Sequence, residues 1–329
     1  MATNQADPNQ NATLPSALRS SGASVNDWVE NLSETKFAYL VLGPTLVLFT
    51  ALALWPILYT FKTSFFADSF SQFHGQFVGL GNYVGIVTGT RDYSLIRPFI
   101  DLQNPFRSVL PTTLIYTALS VVLITAFGFV QALVLNKTFR GRSIVRTAVL
   151  IPWAVPIVIQ GMIFYLLFIP GGLGTEFLNQ FGIVGSRPLS NSLSTMAIVT
   201  LASIWKRSAY VALIVLAGLQ GIDENLYDVA DVAGASRWQK FRLVTLPQAI
   251  PVLMIAMLLT SIGSMRIYGQ IDSIASCSVM PSITCAVVGT FNGSLYGTAS
   301  ALAFITAILI GLVSLVYLGV LSRSNAGGI

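Results

Sequence analysis

Lys206 and Arg207 stand side by side inside Ser194–Leu219, a stretch that otherwise carries no charge. Two adjacent cations can hold an anion, donate to free backbone carbonyls, or meet water in a cavity. Facing hydrocarbon would cost each of them about 2.5–3.5 kcal/mol. Shifting the stretch does not free them, because Ser208–Ile222 is too short to cross a bilayer alone. The core of no other apolar stretch offers an Asp or Glu as a partner. Two readings stay open: carbonyls and water at an interface, or contact with a solute and its pathway. Trp205 and Tyr210 flank the pair and offer either ring faces for a sugar or ordinary packing. Arg266 and Tyr268, near the end of a later apolar stretch, extend the same candidate pathway or anchor an interface.

Other chemistry finds no residues to carry it. His74 is the single histidine and stands alone, so there is no base for a Ser–His–Asp arrangement. Cys277 and Cys285 do not make a zinc spacing, and no further thiol or imidazole supports them. No glycine-rich loop runs into Lys and Ser or Thr, so the chain has no phosphate cradle of its own. Asp68, Asp92 and Asp101 fall in one long loop and read as solvated carboxylates. The expectation is a chain with no catalytic site, no metal and no bound cofactor; any nucleotide hydrolysis belongs to another subunit.

The elements that must position these cations follow from composition. The 329 residues are 54% hydrophobic and 9% charged, where a soluble domain averages about a quarter charged residues. Mean hydropathy is +0.72. The net charge of +5 is spread thinly and makes no nucleic-acid patch. Six apolar runs are long enough to span a bilayer, which takes about 20 residues: about 37–61, 108–136, 147–169, 194–219, 250–270 and 298–321. Pro44, Pro56, Pro152 and Pro156 lie inside or near these runs, where neighbouring helices can satisfy the freed backbone. The predicted class is an all-α polytopic membrane protein with six transmembrane helices. Residues 1–36 are polar, lack an early apolar core and read as a flexible tail, with a short helix around Val25–Glu34; residues 322–329 form a second tail. Lys137, Arg140, Arg142 and Arg146 crowd one short loop, which places it and both termini on the cytoplasmic side.

That orientation puts VADVAGASRWQKFRLVTLP, Val229–Pro247, in the cytoplasm between the fourth and fifth spans. Ile222, Leu226, Val229, Ala230 and Ala233 recur at helical spacing. Gly234 suits a left-handed helix end. Ser236 and Gln239 have capping-box spacing for a second short helix, on which Trp238, Phe241 and Thr245 share a face. Pro247 stands before the fifth span. From spacing alone, this is a pair of interfacial helices at the membrane surface.

The segment resembles the Glu-Ala-Ala loop of ABC-importer permeases. Asp228-Val229-Ala230 stands at the Glu-Ala-Ala position, Gly234-Ala235 follows at the right distance, then Phe241 and Leu246-Pro247. FVGLGNY (Phe77–Tyr83), RTAVLIPWAVP (Arg146–Pro156) and IWKRSAY (Ile204–Tyr210) resemble further elements of the carbohydrate-uptake branch, which includes maltose-type and glycerol-phosphate-type permeases. Asp228 replaces Glu, and Ala233 stands where an acid usually precedes the Gly.

The resemblance implies an ABC type I importer permease fold in the cell membrane. It implies coupling helices within 222–246, with Tyr227, Asp228, Val229, Ala230, Gly234, Ala235, Trp238, Phe241 and Pro247 meeting an ATPase. The implied partners are a second permease subunit, different from this one; two ATPase subunits that hold ATP and Mg; an extracytoplasmic solute-binding protein; membrane lipid; and a sugar as solute. A permease for another solute, or a docking subunit that moves none, are the rival readings. CSVMPSITC, Cys277–Cys285, replaces the family's Gly-rich loop. Its cysteines, on the outer side, are either free or bridged, and a bridge would stiffen the surface that meets the binding protein.

Overall fold

Helices follow the apolar runs with small shifts at their ends. The computed structural model describes residues 32–69, 75–92 and 95–326. His74 lies outside these residues, as does most of the expected N-terminal tail and Val25–Glu34 helix. The chain divides into two units, Met1–Thr60 and Phe61–Ile329.

The first unit holds most of helix α1 (Glu34–Thr63), an apolar helix whose best 18-residue window buries none of its residues. The helix widens to a π turn at Thr50–Leu54. Pro56 has no N–H for the Leu52 carbonyl, and the regular ladder must rearrange around that gap.

The second unit is built around two long helices, α3 (Val109–Asn136) and α7 (Ser192–Gln220). A short helix, α2 (Gly81–Val87), precedes them. A Cβ on Gly128 would overlap Val211 and the Ser208 carbonyl, so glycine lets α3 and α7 approach closely. The most apolar window of α7 is 56% buried, the highest share of any candidate span. Helix α7 therefore forms the wall against which the rest packs.

The third expected span does not run as one helix. It is α4 (Arg142–Ala154) followed by α5 (Ile157–Phe168), bent by 92° at the junction. Pro156 forces the break: it forbids a helical bond and drives the preceding Val155 to extended backbone, with ψ at 129°. Among the described residues there are thus five helices long and apolar enough to cross a membrane, and one bent pair.

The chain continues through α6 (Leu173–Gln180), α7, α8 (Asn225–Val232), α9 (Arg237–Met265), α10 (Gly269–Ile274), α11 (Ile283–Asn292) and α12 (Tyr296–Ala326). Two boundaries differ from expectation. The second short helix does not end at Pro247 but runs on into the fifth span as α9. Pro247 sits in the turn that follows the π turn Phe241–Thr245, where its missing N–H is absorbed. The fifth span stops at Met265 rather than reaching residue 270.

The loop before α3 is tied down by polar contacts. Buried Asn82 donates to the carbonyls of Ser64 and Phe66 at 2.8 and 2.7 Å, and Tyr83 donates to Ser64 Oγ at 2.6 Å. Asp68 is not a solvated carboxylate: it pairs with Arg91 at 2.7 Å and accepts from Thr298 N at 2.8 Å, which fastens the loop to the start of α12. Asp92 accepts from Phe99 N at 3.1 Å. Asp101 is partly exposed; hydrogen bonds from the Asn104 side chain, then from the Asn104 and Gln103 backbones, hold its carboxyl below the usual range.

Candidate functional site

The break between α4 and α5 creates the first half of the site. A helix end leaves its last carbonyls without intrahelical partners. Here the Lys206 ammonium, reaching from α7, donates to the carbonyls of Trp153, at 3.1 Å, and Val155. The lysine thus caps a helix of the neighbouring element. Arg207 turns the other way and donates from Nη1 to Ser264 Oγ at 3.0 Å. A Cβ on Gly263 would overlap the Arg207 guanidinium, so this glycine gives the arginine its seat.

The gap between α9 and α10 supplies the rest. Arg266 caps the C-terminus of α9, and Tyr268 precedes α10. Lys206, Arg207 and Arg266 line one cavity of ≈310 Å³ together with Ile157, Gly263, Tyr268 and Gln270. Gln270 is held by a buried chain of polar contacts: Ser203 Oγ donates to its Oε1 at 3.1 Å, and Tyr116 Oη lies 2.7 Å from Ser203 Oγ. Tyr268 donates to Asp272 at 3.5 Å.

Of the six sequence candidates for the pathway, four meet at this cavity. The other two pack elsewhere: Trp205 lies against Phe164 with centroids 5.9 Å apart, and Tyr210 stacks on Trp153 at 6.3 Å. Gly263 and Ser264 escaped the sequence reading. Their only signal was a pair of small residues one helical turn before Arg266.

Cys277 and Cys285 are joined by a disulfide. Both are buried in a cluster with Ile271, Ile274 and Met280. The bridge therefore works inside the packed unit rather than on an exposed surface. Next to it, Ser282 caps α11 by accepting from Cys285 N at 3.1 Å and donates to Ile267 O at 2.7 Å.

The second half of the site is the corner between α8 and α9. Gly234 has φ +74°, a conformation that side chains with a Cβ adopt at a cost. Its N–H bonds Asp231 O and the Ala235 N–H bonds Ala230 O, both at 2.9 Å, a Schellman ending for α8. Ser236 then starts α9 with a complete capping box with Gln239. Lys240 closes the corner by pairing with Asp231 at 2.6 Å.

Aromatic contacts fasten this corner to the unit. Trp238 stacks on Phe241 at 5.4 Å, and Phe241 reaches Phe129 of α3 at 6.1 Å. Tyr227 Oη and Thr245 Oγ1 lie 3.0 Å apart. Asp228 and Pro247 are exposed, while Ala230 and Ala235 are half-buried. Val232 is 92% exposed, Val229 68% and Trp238 67%. The corner is rigid in its backbone and apolar on its outside.

The chain is similar to known proteins. Residues 124–325 match the family described as binding-protein-dependent transport system inner membrane component. The trehalose/maltose transport system permease protein MalF of Thermococcus litoralis is 31% identical over 236 residues, 71% of this chain and 75% of that protein. The trehalose transport system permease protein SugA of Mycobacterium tuberculosis is 30% identical over 241 residues, 73% of each. Among solved structures, a bacterial ABC transporter involved in the import of the acidic polysaccharide alginate has a chain that superposes with a TM-score of 0.70. It shares 21% sequence identity, and the match covers 93% of this chain and 99% of that one. The broken third span, the corner and the apolar helices are those of a multi-pass membrane protein, and the chain belongs to the family of binding-protein-dependent transport system inner membrane components.

Proposed function

We propose that this chain is one of two permease subunits of an ATP-driven importer, and that the solute is a carbohydrate delivered by an external binding protein. The observation that carries the reading is the corner: a stiff, capped pair of helical turns that leaves Val229, Val232 and Trp238 exposed. Isolated apolar residues on a surface need no explanation, but a rigid cluster of them on an otherwise finished backbone suits a partner. In this reading the corner lodges in an ATPase subunit. Two such ATPases hold ATP and Mg, and their closure moves α8 and the start of α9. Since α9 continues without interruption into a membrane helix, a push at Trp238 reaches the cavity edge at Arg266. The permease contributes no catalytic group. The relatives named for trehalose, maltose and, in Bacillus subtilis, arabinooligosaccharides support sugar as the solute class.

The test is purification of the intact complex from membranes, followed by reconstitution. Two ATPase chains and a second permease should co-purify, and labelled disaccharide should enter vesicles only with ATP and the binding protein. A complex that assembles fully yet moves no sugar would refute the carbohydrate assignment.

A further inference from the structure

The cavity beside α7 holds more positive charge than the fold needs. Lys206 alone is accounted for by the open end of α4, where two of its three donors meet carbonyls. Arg207 carries five N–H donors, and the one side-chain acceptor it meets among the described residues is Ser264 Oγ. Arg266 makes no hydrogen bond or ion pair among the described residues, and it is exposed to the cavity. None of the residues that line the cavity is an Asp or Glu. The nearby Asp272 accepts from Tyr268, which also lines the space. Three cations drawn around ≈310 Å³ repel one another, and the apolar helices around them offer poor solvation. The volume lies within the range of small-molecule sites, roughly 300–1,000 Å³.

We infer that this cavity is an anion subsite, and that the solute carried past it is an acidic sugar whose carboxylate, or a phosphate or sulfate ester in the same place, sits between Arg207 and Arg266. The inference rests on the importer reading above and names the substrate class within it. The planar guanidinium of Arg207, seated on Gly263, presents a fork that matches two oxyanion oxygens, as a lysine could not. Lys206 is a positioning residue: it fixes the α4 end and adds its field without giving up its carbonyls. Gln270, locked by Ser203, closes the wall.

The experiment uses the whole complex in nanodiscs, without the binding protein, so that the permease alone selects. Equilibrium binding is measured for matched pairs that differ in a carboxylate against a hydroxymethyl group: digalacturonate against galactobiose, and cellobiuronate against cellobiose. At least one acidic member should bind about tenfold or more tightly than its neutral partner, as expected for a charge-assisted pair. Arg207→Gln and Arg266→Gln should each shrink that preference severalfold; Arg207→Lys should recover part of it. If Arg207→Gln fails to assemble, Arg266→Gln, an exposed position, carries the test.

Equal affinity within every pair overturns the inference, as does a preference that survives loss of both arginines. So does disassembly of the two permeases on losing Arg207 without any sugar discrimination in the intact complex, which would assign the cations to a carboxylate of the second subunit. ATP-driven uptake separates this failure from that of the broader reading. Uptake of neutral and acidic sugars alike by the wild type leaves the importer intact and removes only the acidic class. No uptake of any sugar removes both.

Discussion

At the corner of α8 and α9, apolar side chains stand in the open; at the cavity beside α7, charge is drawn against apolar helices. The corner's backbone is complete, with a Schellman ending at Gly234, a capping box at Ser236 and Gln239, and an ion pair between Asp231 and Lys240. What it leaves unfinished is its surface. The cavity is the reverse. Its walls are packed, yet Arg207 and Arg266 keep donors that the described residues do not fill. A finished backbone with an apolar exterior suits a partner that pushes on it. A packed wall with spare cationic donors suits a small polar ligand that comes and goes. Substitutions in the two regions should therefore fail in different ways.

The largest effect should come from Lys206→Met. It leaves the Trp153 and Val155 carbonyls without their donor where the chain bends by 92°. Hydrogen bonds to charged groups contribute about 1.5–3 kcal/mol each, so the unfolding midpoint of the purified complex should drop by several degrees and uptake should fall with it. An unchanged midpoint would mean that the break in the third span holds itself open.

Gly234→Val comes next. Left-handed backbone costs a residue with a Cβ roughly 1–2 kcal/mol, and a Cβ here meets no neighbouring atom, so the strain is purely conformational. Membrane insertion should survive while ATPase binding is lost. Val232→Asp sharpens the contrast further. At 92% exposure it should leave stability within about 0.5 kcal/mol, yet weaken recovery of the ATPase in affinity purification severalfold. Equal recovery would place the contact surface elsewhere. The smallest effect belongs to Lys240→Ala. Its pair with Asp231 is partly exposed, and such pairs contribute about 0.2–1 kcal/mol, less at high salt. A midpoint shift that persists in concentrated salt would show that Lys240 does more than close the corner.

Much of the fold was legible because each span announces itself by length and apolarity. The corner was equally legible: Gly234, Ser236 and Gln239 act through local backbone bonds, and local bonds leave local signatures. What sequence could not show was who meets whom across spans. Pro156 was visible, but tolerance of proline in membrane helices hid the break it makes. Lys206 found its carbonyls 51 and 53 residues away, and Arg207 found Ser264 57 residues away; no spacing encodes such pairs. Trp205 and Tyr210 offered ring faces for a sugar or ordinary packing, and the structure sets them against Phe164 and Trp153; an aromatic on such a helix has the same sequence signature for either role. The sequence left the cysteines open between free and bridged; the bridge that forms is buried in a cluster with residues of α5, α7 and α10, which spacing along the chain does not encode.

The coupling of the corner to transport is the central claim, and Gly234→Val tests it most directly in a single preparation. The variant is purified from membranes beside the wild type, probed for its ATPase subunits, and assayed for ATP-dependent sugar uptake in vesicles. The account predicts that ATPase recovery and uptake are lost together while the permease remains folded in the membrane. Full uptake by the variant would contradict it.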